Sequence, residues 1–373
     1  MIYLLIFSLS LISSALAINC YKKNKIVFLV FSCIAILLPS ILAGLRDKSI
    51  GIDVEWYIIP SLNQVTKMSY YDFMASLSTP EYFFYTLIYL VQFLPNPLFW
   101  ALFFVELLIV TPLYISAFMN RKNVHPTFVM FAFFMLIYNF SFSLMRQFIA
   151  ASFIVLAISL FYYRKEKVLA LILLICSIFF HSSSVFIILI TVLFYLFRRS
   201  SVFLFFLSVL MLISIANIGS ILLLLSNFSN VFLRYYNSFM NRENESSFFT
   251  VEIAIFIFLI LIYRFLCNRS YLKTNKMYLF HLLFLFGVFL SFGSIFSSYV
   301  IRFSYYFRFF GIFTLSLPLN KNIKATGDKK IFCRCGIILL LVIYWVYFVV
   351  YKNFYNTFPY QLSCYWFVFS LIK

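Results

Sequence analysis

The segment MRQFIAASFIVLAISLFYY, residues 145–163, decides the fold class of this chain. Apart from its start it consists mainly of apolar and small residues. At about 1.5 Å of rise per residue, a helix of this length matches the ~30 Å hydrocarbon core of a bilayer. We predict that it crosses a membrane. Arg146 and Gln147 at its start then need an explanation, because a charged side chain inside a bilayer is costly.

The composition of the whole chain agrees with this prediction. Hydrophobic residues make up 64% of the 373 residues and charged residues only 11%, with 53 phenylalanines and a mean hydropathy of +1.01. Such a chain is not a soluble globular domain, and helices satisfy backbone hydrogen bonds within a bilayer. The predicted fold class is therefore all-α, a polytopic integral membrane protein, with residues 1–373 forming a single membrane domain.

The net charge of +18 is interpreted as a sign of membrane topology. Lysine and arginine are enriched in the cytoplasmic loops of membrane proteins. The dense basic clusters therefore mark six predicted cytoplasmic segments, and we expect no nucleic-acid partner. These clusters lie at Lys22–Lys25, Arg121–Lys122, Arg164–Lys167, Arg198–Arg199, Arg264–Lys276 and Lys321–Arg334.

Apolar segments alternate with these clusters as about 12 predicted transmembrane helices. Residues 81–94, EYFFYTLIYLVQFL, are too few to cross and are predicted to form a re-entrant or interfacial helix. The outer face carries loop 46–97, which contains this short helix, and a second outer loop, 226–249. Residues 361–373 form either an interfacial segment or a partial span. The predicted spans are residues 1–19, 26–45, 98–119, 127–143, 145–163, 168–181, 183–197, 202–225, 250–267, 277–298, 300–318 and 335–351.

Ten basic residues lie outside these clusters and are not explained by cytoplasmic charge, and the lengths of the predicted hairpins indicate the depth of three of them. A turn expected near residue 145 places Arg146 at the outer apex of a hairpin. A second turn near residue 298 places Arg302 about one helical turn and Arg308 about 15 Å below the outer surface. Because few carboxylates lie outside the cytoplasmic clusters, we expect these arginines to face an anion, and a guanidinium group suits phosphate. A structural salt bridge is the alternative.

Three other residues are candidate general bases. His181 begins the sequence HSSS at the recessed apex of another predicted hairpin, while Asp53 and Glu81 lie in the loop 46–97. Each has a simpler explanation. His181 would be a buried, hydrogen-bonded turn residue, Glu81 would only offset a helix dipole, and Asp53 would belong to a solvated loop.

An ordered set of residues resembles a known family. In chain order these are Arg46, Gly51-Ile-Asp53, Tyr57, Glu81-Tyr82, Arg146-Gln147-x-x-Ala150, Phe180-His181-Ser182-Ser183, Arg308 and Phe358-Pro359-Tyr360. Together they span residues 46 to about 360 and resemble the EpsG-like branch of the Wzy-type O-antigen polymerases. The low glycine content departs from many members of that family. The resemblance implies a fold like that of the GT-C-like polysaccharide polymerases.

The resemblance implies a glycosyltransferase of surface polysaccharide or lipopolysaccharide biosynthesis. An undecaprenyl-pyrophosphate-linked glycan would be transferred onto the non-reducing end of another lipid-linked repeat unit. The reaction would take place at the periplasmic face of the bacterial inner membrane. The expected partners are the lipid-linked oligosaccharide and the lipid bilayer, with a chain-length regulator protein as a further candidate. Arginines can stabilise the departing pyrophosphate, so no metal and no cofactor is expected.

The resemblance and the charge pattern together suggest roles for individual residues. The catalytic candidates are Arg146, His181, Asp53 and Glu81, the last three being alternative general bases. The substrate-binding candidates are Arg302 and Arg308 on pyrophosphate beside Arg146, Arg46 and Arg234 on lipid phosphate or glycan, and Gln147 and Tyr306 on sugar hydroxyls.

Two other functions use similar features. An O-antigen ligase uses the same donor but passes the glycan to the lipid A core, and it typically carries a large periplasmic loop with a histidine. A lipid-linked oligosaccharide flippase, which is a transporter, would place charges along the middle of several helices. Apart from Arg308, the unusual charges here gather on one predicted face, which favours the polymerase.

Overall fold

The computed structural model describes residues 1–77, 79–227, 246–266, 277–292, 298–319 and 327–363, with residues 233, 236, 237 and 240. Most of these residues lie in helices, and no β-strand forms among them. The protein divides into two compact units. The first comprises Met1–Ile188, Leu319–Ile323 and Leu341–Lys373, and the second comprises Leu189–Pro318 and Lys324–Leu340.

Ten numbered helices of the first unit precede residue 181, and a π-helical turn at Val54–Ile58 lies among them. The helices are α1 (Ile2–Cys20), α2 (Lys25–Gly44), α3 (Ile59–Val65), α4 (Tyr70–Ser76), α5 (Tyr82–Val91), α6 (Pro97–Met119), α7 (Pro126–Leu136), α8 (Tyr138–Ser141), α9 (Met145–Tyr163) and α10 (Lys167–Phe180).

Seven more numbered helices follow. Helix α11 (Ser184–Phe197) begins in the first unit and continues into the second. The second unit then contains α12 (Ser201–Ala216), α13 (Ile218–Ser226), α14 (Ser246–Leu266), α15 (Tyr278–Ser291) and α16 (Ser298–Ser316). Helix α17 (Gly327–Trp345) returns to the first unit and is followed by a π-helix at Val346–Tyr351.

Local sequence explains where several helices begin. The side chain of Asn24 accepts hydrogen bonds from the backbone N–H groups of Ile26 and Val27 and so caps α2. Asn96 caps α6 in the same way, and Pro97 occupies the first helical position, where its missing N–H costs nothing. Both helices therefore start where the predicted spans start.

Among the described residues, five helical stretches are long and apolar enough to cross a membrane: Ile2–Cys20, Lys25–Gly44, Pro97–Met119, Met145–Tyr163 and Arg334–Tyr351. Several shorter apolar helices accompany them. The protein is therefore a multi-pass membrane protein, as predicted, while about 12 crossings stays a prediction. The loop 46–97 is largely helical, because it contains the π-turn and α3 to α5.

Two predicted spans are interrupted. The span 127–143 breaks at Ile137, after which Tyr138 donates a hydrogen bond to the carbonyl of Pro39 at 2.7 Å. The span 202–225 breaks at Asn217, whose side chain bonds to the carbonyl of Ile213 at 2.8 Å. The Asn217 bond is local and competes with the regular helix, whereas the Tyr138 bond joins the broken segment to α2. Hydropathy does not detect such breaks, since the segments remain apolar throughout.

Helix α9 packs against both α6 and α10. Ala150 and Ala151 are buried in this layer, and small side chains allow helices to approach closely. This packing holds the N-terminal end of α9, with Arg146, in a defined position within the first unit.

Candidate functional site

The chain between α2 and the π-turn docks on the connection that precedes α9. Gly51 has a φ of +93°, and a Cβ atom there would overlap the carbonyl oxygen of Phe142. The backbone N–H of Ile52 donates to the hydroxyl of Ser143 at 2.9 Å. Glycine suits this backbone conformation and this close approach. The docking brings the π-turn to the start of α9.

Glu81 stands at the N-terminus of α5 and contacts two cationic or ionisable side chains. One carboxylate oxygen accepts from Nη1 of Arg146, and the other contacts Nδ1 of His181. The side chain makes no capping hydrogen bond to α5. Its two contacts therefore show that Glu81 does more than offset the helix dipole. We call Glu81, Arg146 and His181 the Glu81 cluster.

The carboxylate of Glu81 is ionised at neutral pH. Burial alone raises the pKa of a carboxyl group, but the hydrogen bond from His181 and the positive charges beside it outweigh burial, so the pKa of Glu81 lies below its ordinary value. An ionised carboxylate only accepts hydrogen bonds, and Nδ1 of His181 must therefore carry the proton between them. A neutral His181 then has its lone pair on Nε2.

The guanidinium group of Arg146 is held on its face as well as at its edge. Its Cζ lies 3.8 Å from the centre of the Tyr57 ring and 5.7 Å from that of Phe84. The charge of Asp53 also acts on it. The salt bridge given as the alternative for these arginines is therefore present at Arg146. Its partner Glu81 comes from a distant part of the sequence.

His181 is the most exposed member of the cluster. Its side chain is 26% exposed, compared with 11% for Arg146 and 3% for Glu81. It ends α10 in an extended conformation, and its carbonyl accepts from the hydroxyl of Ser184 at the start of α11. The predicted turn at HSSS is confirmed. The cluster thus combines an oriented imidazole, a carboxylate and a guanidinium group at one partly open site.

Arg46 lies away from solvent. It is 1% exposed, its Nη1 donates to the carbonyl of Ala43 at 3.1 Å, and its guanidinium stacks on Phe142 at 4.0 Å. Its backbone pairs with that of Leu362. The contacts stabilise the end of α2 and its junction with the C-terminal segment, and they leave Arg46 enclosed by protein. Gln147 is buried as well.

A family model for the EpsG family matches residues 29–362, which is most of the chain. The chain belongs to the EpsG family. No curated protein and no solved structure matches it significantly. Members of this family are of the polysaccharide polymerase type. The matched range includes every residue of the Glu81 cluster and Tyr57.

The second unit of this EpsG-family protein holds the remaining predicted residues. Arg308 is buried and forms an ion pair with Glu252 of α14, and its Cζ lies 3.8 Å from the centre of the Tyr305 ring. The salt bridge given as the alternative is therefore also present at Arg308. Tyr306 is buried, Arg302 is partly exposed, and Arg234 lies outside the described residues.

Sequence reasoning did not identify the contact partners of two predicted arginines in this EpsG-family chain. Glu252 is an acidic residue within an apolar segment, the same signal that draws attention to Arg308. Tyr57 is part of the motif that resembles the family, but its ring contact with Arg146 depends on the docking of Gly51 and Ile52. No local pattern predicts that contact.

Proposed function

We propose that the chain is a surface-polysaccharide polymerase of the O-antigen type in the bacterial inner membrane. It transfers an undecaprenyl-pyrophosphate-linked glycan onto the non-reducing end of a second lipid-linked repeat unit, at the periplasmic face. The observation that carries this proposal is the Glu81 cluster, in which an imidazole and a guanidinium group contact one shared carboxylate. Membership of the EpsG family supports the same chemistry.

His181 is the proposed general base. A hydroxyl oxygen of the acceptor sugar attacks the anomeric carbon of the donor, and the bond from that carbon to the pyrophosphate oxygen breaks. Nε2 of His181 takes the hydroxyl proton while Nδ1 stays bonded to Glu81. The carboxylate orients the ring and stabilises the imidazolium that forms, a function that buried carboxylates serve in other histidine-based sites.

Arg146 is the proposed contact to the leaving group. Undecaprenyl pyrophosphate departs with additional negative charge, and a guanidinium group already fixed by Glu81 and Tyr57 needs little reorganisation to stabilise it. A guanidinium carries five N–H donors, so the contact to Glu81 leaves donors for phosphate oxygens. Asp53 is assigned a supporting electrostatic role beside Arg146.

Reconstitution tests this proposal directly. The purified full-length chain is placed in liposomes with a defined undecaprenyl-pyrophosphate-linked repeat unit, and the lipid-linked products are separated by size. Longer lipid-linked chains are expected from the wild type and not from His181→Ala. The variant Glu55→Gln, which alters an exposed carboxylate of the π-turn, serves as the matched control and should elongate normally.

Other outcomes identify other functions. Transfer of the glycan to added lipid A core without elongation would indicate a ligase. Movement of the lipid-linked unit across the bilayer without elongation would indicate a flippase. Either result, with the protein folded, would overturn the polymerase proposal.

A further inference from the structure

Two aromatic side chains beside the Glu81 cluster point outward from the π-turn. Val54 and Ile58, its first and last residues, are buried, whereas Trp56 is 71% exposed and Tyr57 37% exposed. Both rings therefore leave the protein on the outward side of one short turn. π-Helical turns are rare and frequently occur at functional sites.

The contacts of these two residues leave their rings available. Tyr57 covers one face of the Arg146 guanidinium at 3.8 Å from its ring centre. Within the part of the chain that the structure describes, Trp56 forms no hydrogen bond or ring contact, and the Tyr57 hydroxyl forms no hydrogen bond. An exposed indole of this kind is not needed for packing. It directly precedes the tyrosine that stacks on Arg146, and this combination suggests a ligand.

We propose that Trp56 and Tyr57 form a sugar subsite, which takes the pyranose residue bonded directly to the pyrophosphate of the lipid-linked substrate. This inference rests on the proposed function, because it assumes a pyrophosphate at Arg146. The sugar next to the pyrophosphate is then the part of the substrate that these two residues recognise.

The chemistry of a pyranose fits the two rings. One face of a pyranose presents C–H groups, which pack on an aromatic face, while its hydroxyls at the edge can bond to a phenol or an indole N–H. Packing distances between such faces are about 4 Å. A sugar packed beside the exposed part of the Tyr57 ring therefore lies one glycosyl-phosphate linkage from a pyrophosphate at Arg146.

The two residues that the sequence predicts to bind sugar hydroxyls are less suited to this sugar. Gln147 and Tyr306 are both buried, so neither presents its side chain at the protein surface. Trp56 and Tyr57 present far more surface. A membrane-interface role is the competing explanation, since tryptophan and tyrosine are enriched where membranes meet water.

Equilibrium binding to the full-length protein in nanodiscs separates these explanations. Two probes are used. One is the undecaprenyl-pyrophosphate-linked repeat unit from the bacterium that makes this protein, and the other is undecaprenyl pyrophosphate without sugar. The variants are Trp56→Leu and Trp56→Phe, with Tyr71→Leu as the matched control. Tyr71 is 80% exposed, lies in the same outer region and forms no hydrogen bond or ring contact within the described residues.

We expect Trp56→Leu to raise the Kd of the glycan-bearing probe roughly fivefold to tenfold, with a smaller rise for Trp56→Phe, which keeps an aromatic face. The Kd of undecaprenyl pyrophosphate should stay unchanged in both variants. Tyr71→Leu should bind both probes as the wild type does.

Three results would overturn the subsite. These are an unchanged Kd in Trp56→Leu, an equal rise for both probes, and an equal effect of Tyr71→Leu. An interface role predicts one of the first two, because losing the indole would either leave binding unchanged or weaken the binding of both lipid probes equally. The measurement does not require elongation. A binding defect in a protein that fails to polymerise would therefore leave the subsite supported and the proposed polymerase activity rejected.

Discussion

Arg146 and Glu81 lie 65 positions apart in the sequence and form an ion pair at the N-terminal ends of α9 and α5. The same carboxylate contacts His181, which lies 100 positions after Glu81. One buried anion therefore sets the position of both a cation and an imidazole. Predictions about this site follow from that shared contact.

Two substitutions of Arg146 distinguish the effect of its charge from the effect of its planar guanidinium group. Arg146→Ala should slow elongation about 100-fold, because the developing charge on pyrophosphate loses its contact. Arg146→Lys should retain part of the rate, since lysine keeps the charge but loses the planar fork and the stacking on Tyr57. Polymer ladders on gels, normalised to protein level, measure both effects.

The exposed Arg199 provides the control for that experiment. Arg199→Ala should give a normal ladder. Full-length chains from Arg146→Ala at a normal protein level would rule out its proposed role.

Glu81 and His181 should behave as one functional unit. Glu81→Gln keeps the shape of the side chain but removes its charge, and His181→Ala removes the base, so each should lower the rate by roughly 100-fold or more. The double variant should lose less than the product of the two single losses, because residues that act together have non-additive effects; the loss beyond His181→Ala reports the contact of Glu81 with Arg146. Initial rates in liposomes give the comparison. Multiplicative losses in the double variant would mean that the two residues act independently.

The Glu252 and Arg308 pair is expected to be structural. Arg308→Met or Glu252→Gln alone leaves a buried charge or polar group without its partner and should lower the free energy of unfolding by about 3 kcal/mol or more. The double variant Glu252→Leu with Arg308→Met should recover much of that loss. Thermal unfolding in detergent provides the measurement.

An exposed ion pair serves as the control for the buried pair of Arg308 and Glu252. Arg164 and Glu166 lie 3.6 Å apart at the surface, and Glu166→Gln should change stability by less than about 0.5 kcal/mol. A stable, correctly folded Arg308→Met that no longer binds undecaprenyl pyrophosphate would instead assign Arg308 to the substrate.

Gly51 should be intolerant of any side chain. Gly51→Ala forces a Cβ against the Phe142 carbonyl at a positive φ, so the docking of Ile52 on Ser143 should be lost and elongation should fall. Gly336 is the control, because a Cβ there meets its nearest neighbour at an ordinary 3.4 Å. Gly336→Ala lies in a helix and should be neutral or stabilising by up to about 1 kcal/mol. Equal behaviour of the two variants would contradict the docking argument.

Local sequence determined much of the helical framework. The predicted spans 98–119, 145–163 and 183–197 correspond closely to α6, α9 and α11. A run of apolar residues is a property of neighbouring positions, and it forces helix formation wherever backbone polar groups must be satisfied without water. The short element at 81–94 was predictable for the same reason, and it appears as α5.

Only the tertiary structure decided which side chains meet. The sequence identifies Arg146, His181 and Glu81 as separate candidates. It does not show that Glu81 contacts the other two, because these contacts join the ends of α9, α10 and α5. The pairing of Arg308 with Glu252 and the burial of Arg46 arise in the same way. Contacts between distant positions depend on how helices pack and where loops dock, for example at Gly51. Hydropathy describes each segment alone and therefore carries no record of them.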